Sequence, residues 1–339
     1  MRVHALFGFR ADLALFVGPL VAAALAVALH HAQGGGAEVG LVPWVVFVAF
    51  IDVGHVWSTL WVSLFHRAQR RAHAQRFGAL ALLVYGAGVA LYAGLGAMAF
   101  WRVAAYAASF HFVRQQVGWV HLARARAGEF DVPGARLDAA VTTLACLEPL
   151  TYWHVHGRTF GWLVAGDFVR VAPVALTLVR AAFATTGALF VVREVRAALR
   201  GDFRVGKVLV VASTALGWHL AIEVADSDYV FTAFNVIAHA APYVYLVASR
   251  SEPGSVAGAS MSGVVPAVLF LGALMALGLG EEAAWDALVW GEHFFSDTPR
   301  WAREAASAIV PLLALPQLVH YALDALLWRR RHEPSLRAA

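Results

Sequence analysis

The chain is short of thiols, of charge and of lysine. Cys146 is the only cysteine among 339 residues, which excludes an intrachain disulfide, a cysteine-ligated iron–sulfur cluster and a CxxC redox pair. Charged residues make up 14% of the chain, against about a quarter in ordinary soluble domains, so a separate soluble module has no place in it. Lys207 is the single lysine beside 25 arginines, an imbalance to which no function attaches. There is no dinucleotide-binding fingerprint, no internal repeat and no low-complexity tract, and the one glycine-rich stretch, "GGGAE" from Gly34, reads as a turn.

What the chain has in excess is apolar length. Hydrophobic residues reach 60% and mean hydropathy is +0.65, which together predict an all-α, polytopic membrane bundle forming one transmembrane domain over residues 1–339. At about 20 residues per span, ten segments emerge: 12–30, 41–65, 78–100, 102–123, 138–156, 169–192, 207–227, 230–249, 263–280 and 305–328. Their connections separate sharply by charge. One side collects nineteen basic residues, including the run "HRAQRRAHAQR" from His66 and the tail "RRRHEPSLRAA"; the other holds Arg102, Arg158, Arg300 and Arg303, and Arg114, Arg170 and Arg180 fall within spans. The positive-inside bias therefore predicts both termini in the cytoplasm, and the bacterial inner membrane as the location. The first span lacks a small-x-small cleavage site ahead of "AQGGGAEVG" and is expected to stay as an anchor. Segment 281–304 faces outward, with Trp285, Trp290, Phe294, Phe295 and Trp301 among carboxylates, and reads as an interfacial amphipathic helix or lid, or equally as a plain aromatic belt.

Ionisable side chains inside spans are expensive and mark interior sites. Residue number converts into depth at about 1.5 Å per residue. On that scale Asp52 and His55 fall in the middle of the second span, His111 and Arg114 in the fourth, and Glu148 in the fifth. His219, His239 and His320 lie at or near mid-depth in the seventh, eighth and tenth. Six spans thus offer ionisable groups to one layer. Polar partners recur at helical spacing: Asp52 with His55, His111 with Arg114 and Gln115, His219 with Glu223 and Asp226, Asn235 with His239, and Gln317 with His320 and Asp324. A ligating imidazole needs such a group on its other ring nitrogen to fix its tautomer.

The expected metal ligands are Asp52, His55, His111, Glu148, His219, Glu223, His239 and His320, supported by Asn235, Asp226, Gln317 and Asp324. Any one of these pairs, taken alone, is as well explained by hydrogen bonding between helices; it is the shared depth that points to a site. His154 and His156, at the outer end of the fifth span, either close an outer metal position or sit at the interface beside Arg158. Arg114 keeps its charge at any depth and needs an anion; with Gln115 it is expected to hold a carboxylate or a substrate headgroup, with a structural salt bridge as the plainer alternative. His66 and His121 read as interfacial.

Imidazole and carboxylate without thiolate suit iron, copper or zinc. The first functional expectation is a membrane oxidase or oxygenase using one or two non-haem iron ions on a lipid or other hydrophobic small molecule. Copper and zinc share these donors, electrons would come from an external donor, and nothing suggests nucleic acid. The HxxxH and HxxHH boxes of membrane desaturases and hydroxylases are absent, so the chain is similar to that class in ingredients alone; a carotenoid-cleaving membrane iron enzyme would use a comparable histidine-rich interior. The alternatives are a proton-coupled transporter or proton relay, toward which Pro149, Pro242 and Pro316 interrupt spans near the polar layer, and a b-type haem electron carrier with paired axial histidines.

Overall fold

The computed structural model describes residues 2–65, 67–157, 163–225, 227–251 and 256–327. His66, Arg158, Asp226 and the basic tail fall outside the described residues. Helices dominate: α1 (Phe9–Ala32), α2 (41–65), α3 (Arg67–Leu95), α4 (Ala97–Arg126), α5 (Val132–His156), α6 (Pro173–Leu199), α7 (Val205–Val224), α8 (Asp228–Arg250), α9 (Val264–Trp290), α10 (Ala306–Leu313) and α11 (Leu315–Leu327). The strands described are β1 (Arg2–Val3) and β2 (Asp202–Phe203), paired in parallel.

Among the described residues, seven helices are long and apolar enough to cross a membrane, and α10 with α11, bent by 42°, makes an eighth if counted as one span. This is the pattern of an integral membrane protein. With that pair counted, two of the ten expected segments, those on α4 and α5, are not among the eight. Both are long enough, about 45 and 37 Å at the helical rise, but they carry much of the buried polarity: His111, Gln116 and Arg124 on α4, Asp138, Thr142 and Glu148 on α5. These side chains lower the mean hydropathy of both helices.

Two compact units are distinguished. The first comprises Met1–Glu38 and Ala108–His239. Here α5 packs against α6 and α7, and helix ends are signalled locally. Asp131 caps α5 by accepting from the Gly134 amide at 2.7 Å with Pro133 in the first turn, and α6 opens on Pro173. At the arginine-rich end lies a buried ionic network. Arg124 reaches Asp138 at 2.5 Å, Asp131 at 2.9 Å and Glu129 at 3.0 Å; Lys207 reaches Glu129 at 2.8 Å and Glu194 at 2.9 Å; Arg193 binds Asp138. Asp138 is fully buried and Lys207 nearly so, which is sustainable only because each charge meets several partners.

The second unit comprises Val39–Ala107 and Ala240–Arg337. Val56, Leu60, Val319 and Leu323 form a core against Phe77, Leu80 and Val84 of α3. Helix α9 lies against α2 so closely that a Cβ at Gly278 would overlap the Ala49 carbonyl oxygen. Residues 281–290 continue α9 rather than forming a separate interfacial helix, ending in a π-helical turn, Asp286–Trp290, closed by Gly291 at φ 65°. The buried Asp286 carboxylate then gathers the amides of Glu292, His293, Phe294 and Phe295 at 2.6 to 3.0 Å, fixing the following loop by its backbone.

Candidate metal centre

Four of the expected ligands come together. His55, His111, His239 and His320 are all buried, and one ring nitrogen from each lies within 4.8 Å of every other. Nitrogens bound tetrahedrally to one ion at about 2.05 Å are about 3.4 Å apart, a spacing that the 4.8 Å limit encloses. This buried four-histidine group could hold a metal.

Each histidine has a polar residue one turn further along its own helix, at i+4: Thr59, Gln115, Tyr243 and Asp324. In the first unit, the His239 ring stacks on Phe112 at 3.9 Å and stands edge-on to His111 at 5.1 Å. Gln115 Nε2 donates to the His239 carbonyl oxygen at 2.8 Å, tying α4 to α8 beside both rings. In the second unit, His55 and His320 meet edge-on at 4.9 Å, with the Tyr243 ring 6.0 and 5.6 Å from them. Asp52, in a π-helical stretch of α2, has a carboxylate oxygen 3.5 Å from His55 Nδ1.

The hydrogen bonds behind His320 have a definite order. Tyr243 donates to Asp324, the Thr59 oxygen lies 2.5 Å from the Tyr243 oxygen, and His320 Nδ1 lies 2.8 Å from the Thr59 oxygen. With Asp324 a carboxylate, Tyr243 spends its one proton there, so Thr59 donates either to Tyr243 or to Asp324, 3.4 Å away, and in both cases accepts from His320 Nδ1–H. That order puts the lone pair of His320 on Nε2, the tautomer a metal ligand requires.

Three of the other expected ligands form a separate group, and Asp52 belongs to neither. Glu148, His219 and Glu223 approach one another within the same 4.8 Å limit, but Arg180 already bridges the two carboxylates, reaching Glu148 at 2.5 Å and also binding Glu223. His219, half exposed, lies 3.3 Å from Glu223. The single layer expected from depth is thus divided, and the arginine that needs anions inside a span is Arg180. Arg114 is exposed, on a stripe with Phe110, Gly118 and His121, and so is corrected from its expected place beside His111; only Gln115 of that pair turns inward. The i+3 position lies about 60° to one side of His111 and the i+4 position about 40° to the other, and the exposed stripe begins within that gap.

The remaining partners are placed as follows. Asn235 is buried but donates to the Phe231 carbonyl of its own helix at 3.3 Å. Gln317 donates to the Tyr321 hydroxyl at 3.0 Å, and Asp324 lies 3.6 Å from His320 Nδ1, acting through the two hydroxyls rather than directly. His154 and His156 pair their Nδ1 atoms with the Leu150 and Tyr152 carbonyls of their own helix, at 2.6 and 3.0 Å, which is local bonding and not convergence on an outer site. Sequence reasoning missed Thr59 and Tyr243; the signal that could have found them is the i+4 offset from His55 and His239.

No family model matches the chain, and neither a curated protein nor a solved structure matches it.

Proposed function

We propose that His55, His111, His239 and His320 are the protein ligands of one metal ion, and that the protein is an oxidoreductase of the bacterial inner membrane acting on a lipid-soluble substrate. The observation that carries this reading is the convergence of four buried imidazoles with no carboxylate among them. Four neutral donors suit iron, copper or zinc. Iron, held by these four histidines, would supply oxygen activation. Four donors are enough to hold one ion, and of the expected carboxylates Glu148 and Glu223 are held by Arg180, which leaves Asp52, 3.5 Å from His55, as the one beside the group.

The chain's own residues divide the remaining work. Thr59, Tyr243 and Asp324 hold His320 in the ligating tautomer, and Gln115 fixes the α8 backbone at His239. The apolar surroundings exclude water from the reacting groups. A set of nitrogens this compact favours a bare ion over a haem, whose macrocycle would have to fit among rings already in edge-on contact. A proton relay is the second reading, supported by the continuous order from His320 to Asp324.

Elemental analysis and an absorption spectrum of the detergent-purified full chain separate these readings. The expected result is about one iron per chain with no Soret band, and loss of most of that metal in each folded variant H55A, H111A, H239A and H320A. Metal-free wild-type protein that still conducts protons in vesicles points to the relay, and full stoichiometry in all four variants overturns the ligand assignment.

A further inference from the structure

A cleft of about 530 Å³ opens in the first unit at the end of α6, away from the histidines. Leu189, Val192, Arg193, Arg196 and Arg200 line one wall. Their spacing of i, i+3, i+4, i+7 and i+11 makes a single helical stripe that changes from apolar to basic along its length. Opposite stand Glu129, Asp131 and Arg204. A second hollow of about 830 Å³ shares Arg200 and Arg204 and adds Arg2 and His4.

Charge accounting makes the cleft more than a rim of snorkelling arginines. The carboxylates at its base are engaged: Glu129 by Arg124, Lys207 and Arg204, Asp131 by Arg124, Asp202 by Arg204 and His4. Arg193 is likewise fixed by Asp138 and Glu194. Among the described residues Arg196 and Arg200, both exposed, have no carboxylate partner. The network below is rigid and close to neutral, so the cationic surplus sits at the mouth, where an anion would meet it. Helix α6 is also among the least buried of the spans, with 11% of its apolar window covered; Val191, Val195 and Leu199 flank the stripe and are exposed. A ligand that fills this cleft therefore has an anionic head and an apolar tail.

We infer that the cleft is a binding site for an acidic phospholipid, with the phosphate on Arg196 and Arg200 and an acyl chain along Leu189 and Val192. Basic pockets beside spans on the positively biased face suit acidic headgroups, and the volume lies in the range of small-molecule sites. A free phosphate shares the head chemistry, but it leaves the apolar half of the stripe without a role.

The test uses the full chain in detergent, with native mass spectrometry after exposure to phosphatidylglycerol or phosphatidylcholine. The wild type should retain phosphatidylglycerol in preference. With about 1 kcal/mol for each arginine, the variant R196Q/R200Q should bind it about 30-fold more weakly at an unchanged melting temperature, with phosphatidylcholine retention unaffected. The control R126Q/R136Q removes the same charge from exposed positions outside the cleft and should retain wild-type affinity. Equal loss in the control would show diffuse attraction and overturn the site. Displacement of the lipid by inorganic phosphate at equal concentration would overturn the lipid assignment in favour of a soluble anion.

Discussion

Replacing Thr59 by valine removes one hydroxyl from a place where nothing exposed can substitute for it, since Thr59 is 1% exposed. The two side chains have nearly the same shape, so packing is preserved and the change is chemical. In the wild type, His320 Nδ1 has the Thr59 oxygen at 2.8 Å. In the variant, that N–H faces a methyl group, and Asp324, at 3.6 Å, is beyond hydrogen-bond reach. A buried donor left without its acceptor costs about 1–3 kcal/mol. The imidazole also loses the partner that selects its tautomer, and such partners are worth about 10- to 100-fold in metal affinity. Competition of Fe(II) and, in parallel, Zn(II) against a chromophoric chelator should therefore show T59V binding about 10- to 100-fold more weakly. T59S, which restores the hydroxyl, should stay within about threefold of the wild type, because the affinity follows the hydrogen bond and not the methyl. A folded T59V that binds both metals as tightly as the wild type refutes the hydrogen-bond order described for His320.

Three further outcomes are expected. Lys207→Ala leaves Glu129, Asp138 and Glu194 short of a counter-charge in a buried site, and breaking such a network should cost about 3–5 kcal/mol, read as a clear loss of melting temperature in detergent; an unchanged melt contradicts the network's role. Asp286→Ala strips the acceptor from four loop amides, so limited proteolysis between residues 291 and 299 should accelerate while cleavage elsewhere does not. Asp131 is held below the usual carboxylate range by the Arg124 guanidinium, helped by the Gly134 amide. Because its folded value is lowered, its contribution is complete above the ordinary value of about 3.9 and fades as the pH falls through the folded value. The melting difference between wild type and D131N should accordingly be constant above about pH 5 and shrink in acid; a difference that grows on acidification contradicts that sign.

The convergence of four histidines was legible in the sequence and direction around the bundle was not. His55, His111, His239 and His320 follow from alternating spans and the helical rise alone. Glu148, His219 and Glu223 share that depth by the same arithmetic, yet Arg180 collects them into another group, because rise per residue carries no lateral information. Tyr243 and Thr59 escaped for a different reason. A search for ionisable groups passes over neutral hydroxyls, although their i+4 offsets repeat that of Asp324 from His320. Arg114 shows the limit of spacing at its sharpest, since residues three and four positions from His111 fall on opposite flanks of its face. The helices α4 and α5 were expected from their apolar length, whereas averaging over their polar side chains keeps them out of the candidate spans. The separate helix expected from residue 281 is instead the end of α9, because apolar residues continue it past Glu281 and Glu282 without a stop signal.

The pairing of β1 with β2 sets an order of events for synthesis. Arg2 and Val3 find their partners only when Asp202 and Phe203 have been made, and His4 then adds a contact to Asp202 at 2.7 Å while its carbonyl accepts from Gly206. Closing a loop of about 200 residues is entropically little worse than closing one half as long, but it is late. The beginning of the chain must wait at the arginine-rich face, unpaired, until α6 has been threaded and its turn delivered, so the short strand pair acts as a latch that shuts only when the first unit is nearly complete.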